Sequence, residues 1–202
     1  MQLLWVLAAF ASLATAQDTL ESVKAAFESV RIVPDVIPTF DPIFLLQLTY
    51  TDVKTGNPLP LAVGETIDVE NTRAAPAFSI VDSTGAFDTA FLIALVNPDD
   101  PFPGGSTSFL NYLGADQLVG GDGEMVPNSA PVVSYVGPRT TNGELPQRVV
   151  ALLYSQSDLN ALSGPPDTRD DFNVTDFVER NLRGPSALVG GTFFFSRNPS
   201  ID

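Results

Sequence analysis

The chain has 202 residues with 24 acidic and 10 basic side chains, no histidine and no cysteine, for a formal charge of −14. That balance excludes strongly anionic partners such as nucleic acid and acidic membrane surfaces, and with only two lysines, Lys24 and Lys54, no basic patch hides inside the total. Without histidine or cysteine there is no Ser-His-Asp or Cys-His nucleophile, no familiar zinc site, no disulfide framework and no unperturbed side chain titrating between pH 5 and 8.

Residues 1–16, MQLLWVLAAFASLATA, form a short apolar run ending in the small-x-small pattern Ala14-Thr15-Ala16. This predicts a secretory signal peptide cleaved before Gln17, hence an extracellular protein without a stable membrane anchor, although no Lys or Arg precedes the run. Leu20, Val23, Phe27 and Val30 then recur at helical spacing behind Asp18 or Thr19 as N-cap, and Pro34 and Pro38 end the pattern. Residues 17–40 are therefore read as an N-terminal helical extension of a domain spanning 41–202.

Ile43–Tyr50 is rich in strand-forming residues and closes at the turn signal Gly56-Asn57-Pro58; Ala62–Val69 and Ala77–Val81 follow as short strands, the second before Ser83-Thr84-Gly85. Phe91–Val96, six apolar residues without a helical period, predicts a buried strand. Ser106–Leu118 nearly alternates apolar and polar residues, which predicts a half-buried strand. Gly120–Pro127 reads as a loop, Pro131–Tyr135 and Arg148–Tyr154 as strands, and Gly137–Pro146 as irregular chain. After the linker beginning Gly164-Pro165-Pro166, Val174, Phe177, Val178 and Leu182 mark a short helix ending at Gly184-Pro185, and Thr192–Ser196 is a last strand. The sum is a mainly β domain, a sandwich in preference to a barrel. Asn173-Val174-Thr175 is an N-glycosylation acceptor at the start of the predicted helix.

The chemistry concentrates after Phe91–Val96, where Asn97-Pro98-Asp99-Asp100-Pro101 sets two carboxylates between prolines in a rigid loop. Adjacent carboxylates act together only when their geometry converges, and neighbours on one loop usually diverge, so a carboxylate hydrolase is the weakest functional reading. Gly120-Gly121-Asp122-Gly123-Glu124 matches no complete calcium loop. Arg148, opening an apolar strand, needs a carboxylate partner, and Asp99 is the candidate.

Asn97–Pro101, Leu110-Asn111-Tyr112, Tyr135-Val136-Gly137-Pro138 and Gly143 with Gln147-Arg148 before an apolar strand together resemble the phosphatidylethanolamine-binding protein (PEBP) family. The closing segments Asn173–Gly184 and Ala187–Phe195 are similar to that family's end. The likeness covers Ile43 to Phe195 and implies a Greek-key β-sandwich of two sheets with a few peripheral helices. It also implies a small anion pocket, in which Asn97 and Asp99 stand at the two aspartates of an Asp-Pro-Asp-x-Pro loop and Pro101 at its final proline. Asn111 and Gln147 stand at two histidines, and Val149 replaces an aromatic residue. Neutral amides donate weaker bonds to phosphate than protonated imidazoles do, so phosphate affinity is expected to fall.

Asn97, Asp99, Asn111, Tyr135 and Gln147 are accordingly the expected ligand-binding residues, with Asp99 and Arg148 as a structural pair that gives Asp99 a scaffold role instead. Tyr112 and Tyr135 also fit as core tyrosines with a wet hydroxyl. No cofactor and no metal are expected. Two functions follow from the resemblance: a secreted, non-enzymatic binder of a small polar or anionic ligand, or a protein-interaction module such as a carboxypeptidase-type protease inhibitor, acting through Gln17–Phe40 beside a vestigial pocket. Ligand binding should be flat between about pH 6 and 8.

Overall fold

The computed structural model describes residues 17–81, 89–100, 108–140 and 145–199. Residues 1–16, expected to be a signal peptide, the turn expected at Ser83-Thr84-Gly85, Pro101 and Gly143 lie outside them.

Helix α1, Leu20–Ser29, begins at Thr19 through a reciprocal box: the Thr19 hydroxyl accepts the Ser22 N–H at 3.1 Å and the Ser22 hydroxyl accepts the Thr19 N–H at 2.9 Å. A short helix α2, Ile32–Asp35, follows. Much of their apolar face is packed against the sheet. Val23, Phe27, Ile32, Ile37 and Phe40 are buried, and the Phe27 ring stacks on Phe40 at 4.1 Å and meets Phe193 edge-on at 5.5 Å. The segment 17–40 thus shares one core with the sheet.

The sheet is built from β1 (Phe44–Thr51), β2 (Pro58–Pro60), β3 (Glu65–Asp68), β4 (Ala77–Val81), β5 (Ala90–Asn97), β6 (Phe109–Val119), β7 (Met125–Pro127), β8 (Gln147–Gln156) and β9 (Leu188–Arg197). Its main path runs β2-β1-β9-β8-β5-β6-β7, with β4 on the other side of β1 and β3 continuing along β9 where β1 leaves it. Most pairs are antiparallel; β1 and β3 run parallel to β9. The sheet curls until β4 meets the turn before β7, where the Ile80 N–H reaches the Gly123 carbonyl at 2.9 Å. The mainly β architecture is present, but hydrogen bonding joins its strands into one curled mixed sheet and does not divide them into two.

The period-2 geometry of the central strands explains why β5 and β8 read as unbroken apolar runs. Leu92, Ala94 and Val96, with Val150, Leu152 and Tyr154, pack under the helices, α3 (Val174–Asn181) included. Phe91, Ile93 and Leu95, with Val149, Ala151 and Leu153, face the inside of the curl against Leu46, Leu48, Phe78 and Ile80.

Strand β6 corrects the half-buried expectation, since nearly all its residues are buried. Two of its buried polar side chains, Asp116 and Gln117, are bonded within the protein. The Gln117 amide donates to the Ala115 carbonyl at 3.0 Å, and Asp116 accepts from the Gln156 amide at 3.1 Å and the Asn160 N–H at 2.9 Å. Gly120–Pro127 is not all loop, because its end pairs with β6 as β7. Pro131–Tyr135 is not a strand. Only Val133 bridges to Leu113, while the Ser134 carbonyl is taken by the Arg169 side chain at 2.7 Å, so no continuous ladder forms.

Gly191 lies where β9 is pressed between β8 and the helical layer. A Cβ there would stand 2.9 Å from the Ala151 carbonyl oxygen and 3.2 Å and 3.4 Å from the Phe27 and Phe40 rings. Gly191→Ala is expected to cost about 1–3 kcal/mol, read as a lower urea midpoint at unchanged slope.

Candidate functional site

The five residues expected around a pocket come from four segments. Asn97 ends β5, Gln147 opens the adjacent β8, Asn111 lies in β6, Asp99 is two residues past β5, and Tyr135 follows the Val133 bridge. Asn97, Asn111 and Gln147 are buried.

Their polar atoms are mostly committed to the protein itself. The Asn97 amide donates to Gln147 Oε1 at 2.8 Å, and Asn97 Oδ1 accepts the Asp99 N–H at 3.0 Å, an Asx-type turn that fixes the loop. Asn111 Nδ2 donates to the Val136 carbonyl at 2.9 Å, whose own N–H returns to the Asn111 carbonyl at 2.9 Å. Asn111 Oδ1 is different: it is buried and has no hydrogen-bond partner among the described residues. The Tyr135 hydroxyl donates to the Thr72 carbonyl at 2.6 Å and lies 3.3 Å from the Tyr50 hydroxyl.

Asp99 and Arg148 form a bidentate pair. Arg148 Nε reaches Asp99 Oδ2 at 2.9 Å and Nη2 reaches Oδ1 at 2.6 Å, while the Arg148 backbone N–H also donates to Oδ2 at 2.9 Å. The remaining nitrogen, Nη1, donates to the Val30 carbonyl at 2.9 Å and lies 3.5 Å from Asp35. The Asp99 bonds outweigh desolvation and hold the guanidinium pKa above its ordinary value. One side chain therefore ties the loop, β8 and the N-terminal segment together.

Asp100 uses a different arginine. Its buried carboxylate accepts from Arg139 Nε at 3.1 Å and from Arg139 Nη2, and that guanidinium lies 3.9 Å over the Phe109 ring. The two loop carboxylates thus bind separate cations instead of converging on one substrate position. Around Gly120–Glu124, Asp122 Oδ1 accepts the Glu124 N–H at 3.2 Å, a turn closed by its own bonds. Among the described residues, no group of three or more His, Cys, Asp or Glu side chains could hold a metal ion.

Arg139 and Arg169 are the organising residues that sequence reasoning missed. Arg169 donates to the Leu110, Asn111 and Ser134 carbonyls at 3.2, 3.3 and 2.7 Å. The only signal was scarcity: each is one of few cations in an acidic chain, placed in irregular segments where a buried carboxylate or bare carbonyls need donors.

A cleft of about 420 Å³ opens beside the expected ligand-binding residues. Asp35, Val36, Pro98, Arg148, Phe172 and Asn173 line it, whereas Asn97, Asn111, Tyr135 and Gln147 do not. Asn173 is exposed and caps α3, its Oδ1 accepting the Asp176 N–H at 3.1 Å.

Burial raises the Tyr135 pKa to about 12 and that of Tyr50 well above its ordinary value. A phenol whose folded pKa is raised stabilises the fold fully below its unfolded value near 10, and that stability is lost as pH climbs through the folded value. Urea midpoints should therefore fall between about pH 10 and 12. Tyr135→Phe should flatten part of that fall while lowering stability at pH 7 by about 1 kcal/mol for the Thr72 bond.

No family model matches the sequence, and no curated protein matches it. Solved structures do. A carboxypeptidase Y inhibitor complexed with its cognate proteinase superposes with a TM-score of 0.72 at 20% identity, over 91% of this chain and 98% of the inhibitor. A PEBP from Plasmodium vivax gives 0.63 at 17% identity over 88% and 98%, and one from Plasmodium falciparum 0.61 at 15% over 86% and 96%. Nearly the whole of each of these proteins superposes on this chain, which therefore has the phosphatidylethanolamine-binding protein fold.

Proposed function

We propose that this protein is a non-enzymatic, extracellular protein-binding module whose partner is a proteinase, with the ancestral pocket turned to structural use. The observation that carries this reading is the internal pairing of the expected pocket: Asn97 with Gln147, Asp99 with Arg148, and Tyr135 with Thr72. A ligand would have to replace those bonds, and displaced buried polar groups cost about 1–3 kcal/mol each. The likeness to an inhibitor that binds carboxypeptidase Y supports a proteinase as the partner class.

The outward face of α1, where Glu21, Ser22, Ala25 and Glu28 are exposed, is available for docking because Val23 and Phe27 face the core. Deleting residues 17–40 would remove that core and could not separate docking from folding. Surface changes are the informative ones. Incubation with carboxypeptidase Y should lower its activity at near-equimolar ratio and shift both proteins to one peak in size-exclusion chromatography, and Ala25→Arg with Glu28→Arg should weaken this at unchanged melting temperature. If neither carboxypeptidase Y nor other extracellular serine carboxypeptidases are inhibited or retained, the reading fails.

One observation favours the small-ligand reading: the buried, unpartnered Asn111 Oδ1 could accept a donor from a small polar molecule. Calorimetric titration with phosphoethanolamine, acetate and simple sugars tests it. Heat that disappears in Asn111→Leu would support a retained pocket.

A further inference from the structure

The cleft beside Arg148 does not end at α3. A second cavity of about 410 Å³ lies on the outer side of Phe172 and shares Asp171, Phe172 and Asn173 with the first. The two adjoin at these shared residues as a groove whose lining runs from Asp35 in α2 through Phe172 and Asn173 and along α3 to the Pro165-Pro166 linker. Its floor is apolar: the Phe172 and Phe177 rings lie 5.3 Å apart and each is less than a tenth exposed.

Its walls are acidic. Asp35, Asp167, Asp170, Asp171 and Asp176 line the groove against two cations, Arg148 and Arg180. Several of these charges are answered within the protein: Asp35 by Arg31 at 3.0 Å, Asp176 by Arg180 at 3.3 Å and Asp170 by Arg139 at 3.5 Å. Asp167 is exposed and has no ion-pair partner among the described residues. The groove remains net negative within a chain of charge −14.

We propose that this groove docks an extended, lysine- or arginine-bearing segment of the partner protein. Charge complementarity selects a cationic occupant, and an acidic field steers it and raises its on-rate. The groove's two compartments fit a segment of several residues better than a single small molecule, and the aromatic floor offers apolar contact for the stems of long basic side chains. The inference rests on the partner-binding reading above and names a second contact surface for it.

The test uses the whole protein and a fluorescein-labelled alternating Lys-Pro octapeptide, which is extended before it binds. Anisotropy should report binding at about 50 mM salt that weakens at about 200 mM, as expected of screened charges. Asp167→Asn with Asp171→Asn should weaken binding about five- to tenfold. Asn tolerates the left-handed backbone at position 171, where φ is 54°, and far-UV circular dichroism with thermal melting verifies folding. Glu124→Gln with Asp158→Asn makes the same charge change away from the groove and should alter affinity less than twofold. Equal loss in both pairs, or no binding at the lower salt, overturns the proposal. Carboxypeptidase Y inhibition measured on the same variants separates the two readings: peptide binding without inhibition removes the proteinase and keeps the groove, and inhibition without peptide binding does the reverse.

Discussion

Phe27→Ala should destabilise the protein by about 3–5 kcal/mol, the largest single loss expected from the helical layer. The ring is fully buried, stacks on Phe40 and meets Phe193 on β9, so its removal opens a cavity between the N-terminal segment and the centre of the sheet. Neighbouring backbone limits relaxation, because Gly191 already brings β9 close to these rings. Urea unfolding followed by circular dichroism reads the loss as a lower midpoint. Phe27→Leu should retain part of it. A loss below about 1 kcal/mol would mean that residues 17–40 are a loosely attached extension and not part of the core.

The second large effect is expected at Arg148. Arg148→Met keeps much of the stem's packing volume but leaves the Asp99 carboxylate with only the residue-148 N–H, and strips the Val30 carbonyl of its donor. The arginine is mostly buried and its partner about one third exposed, so the loss should be about 2–4 kcal/mol, below the upper range for a fully buried pair. Asp99→Asn in the Met background should then cost little, giving a coupling energy of about 1–3 kcal/mol in a double-mutant cycle. Additive losses would show that the two side chains act independently. Because the pair joins the loop to the N-terminal segment, the variant should also increase protease cleavage near Val30 before global unfolding.

Much of the fold was legible because the strongest signals are local. The capping residue Thr19, the helical spacing of Val23 and Phe27, and the apolar run of β5 each carry their structure within a few residues. β6 misled for a physical reason: a polar residue such as Asp116 looks like part of a solvent face until partners distant in sequence, Gln156 and Asn160, satisfy it. Pro131–Tyr135 has strand composition, but only Val133 bridges to β6 and the Ser134 carbonyl is claimed by an arginine over thirty positions away. The same limit applied to the candidate site. That Asp99 lies against Arg148 followed from charge burial, whereas the Asp100–Arg139 pair and the groove beside Phe172 depend on how separate segments meet, and nothing local encodes that.

β9, the last of the described strands, is the one the sheet is assembled around. β9 lies between β8 on one side and β1 with β3 on the other, so those edges stay unsatisfied until residues 188–197 arrive. Sequence separations of more than a hundred residues must close in that step, which makes folding slow and late in synthesis. A chain truncated before Leu188 should expose three open strand edges to aggregation and chaperone capture, so abundance is more sensitive to loss of β9 than to changes at the candidate site.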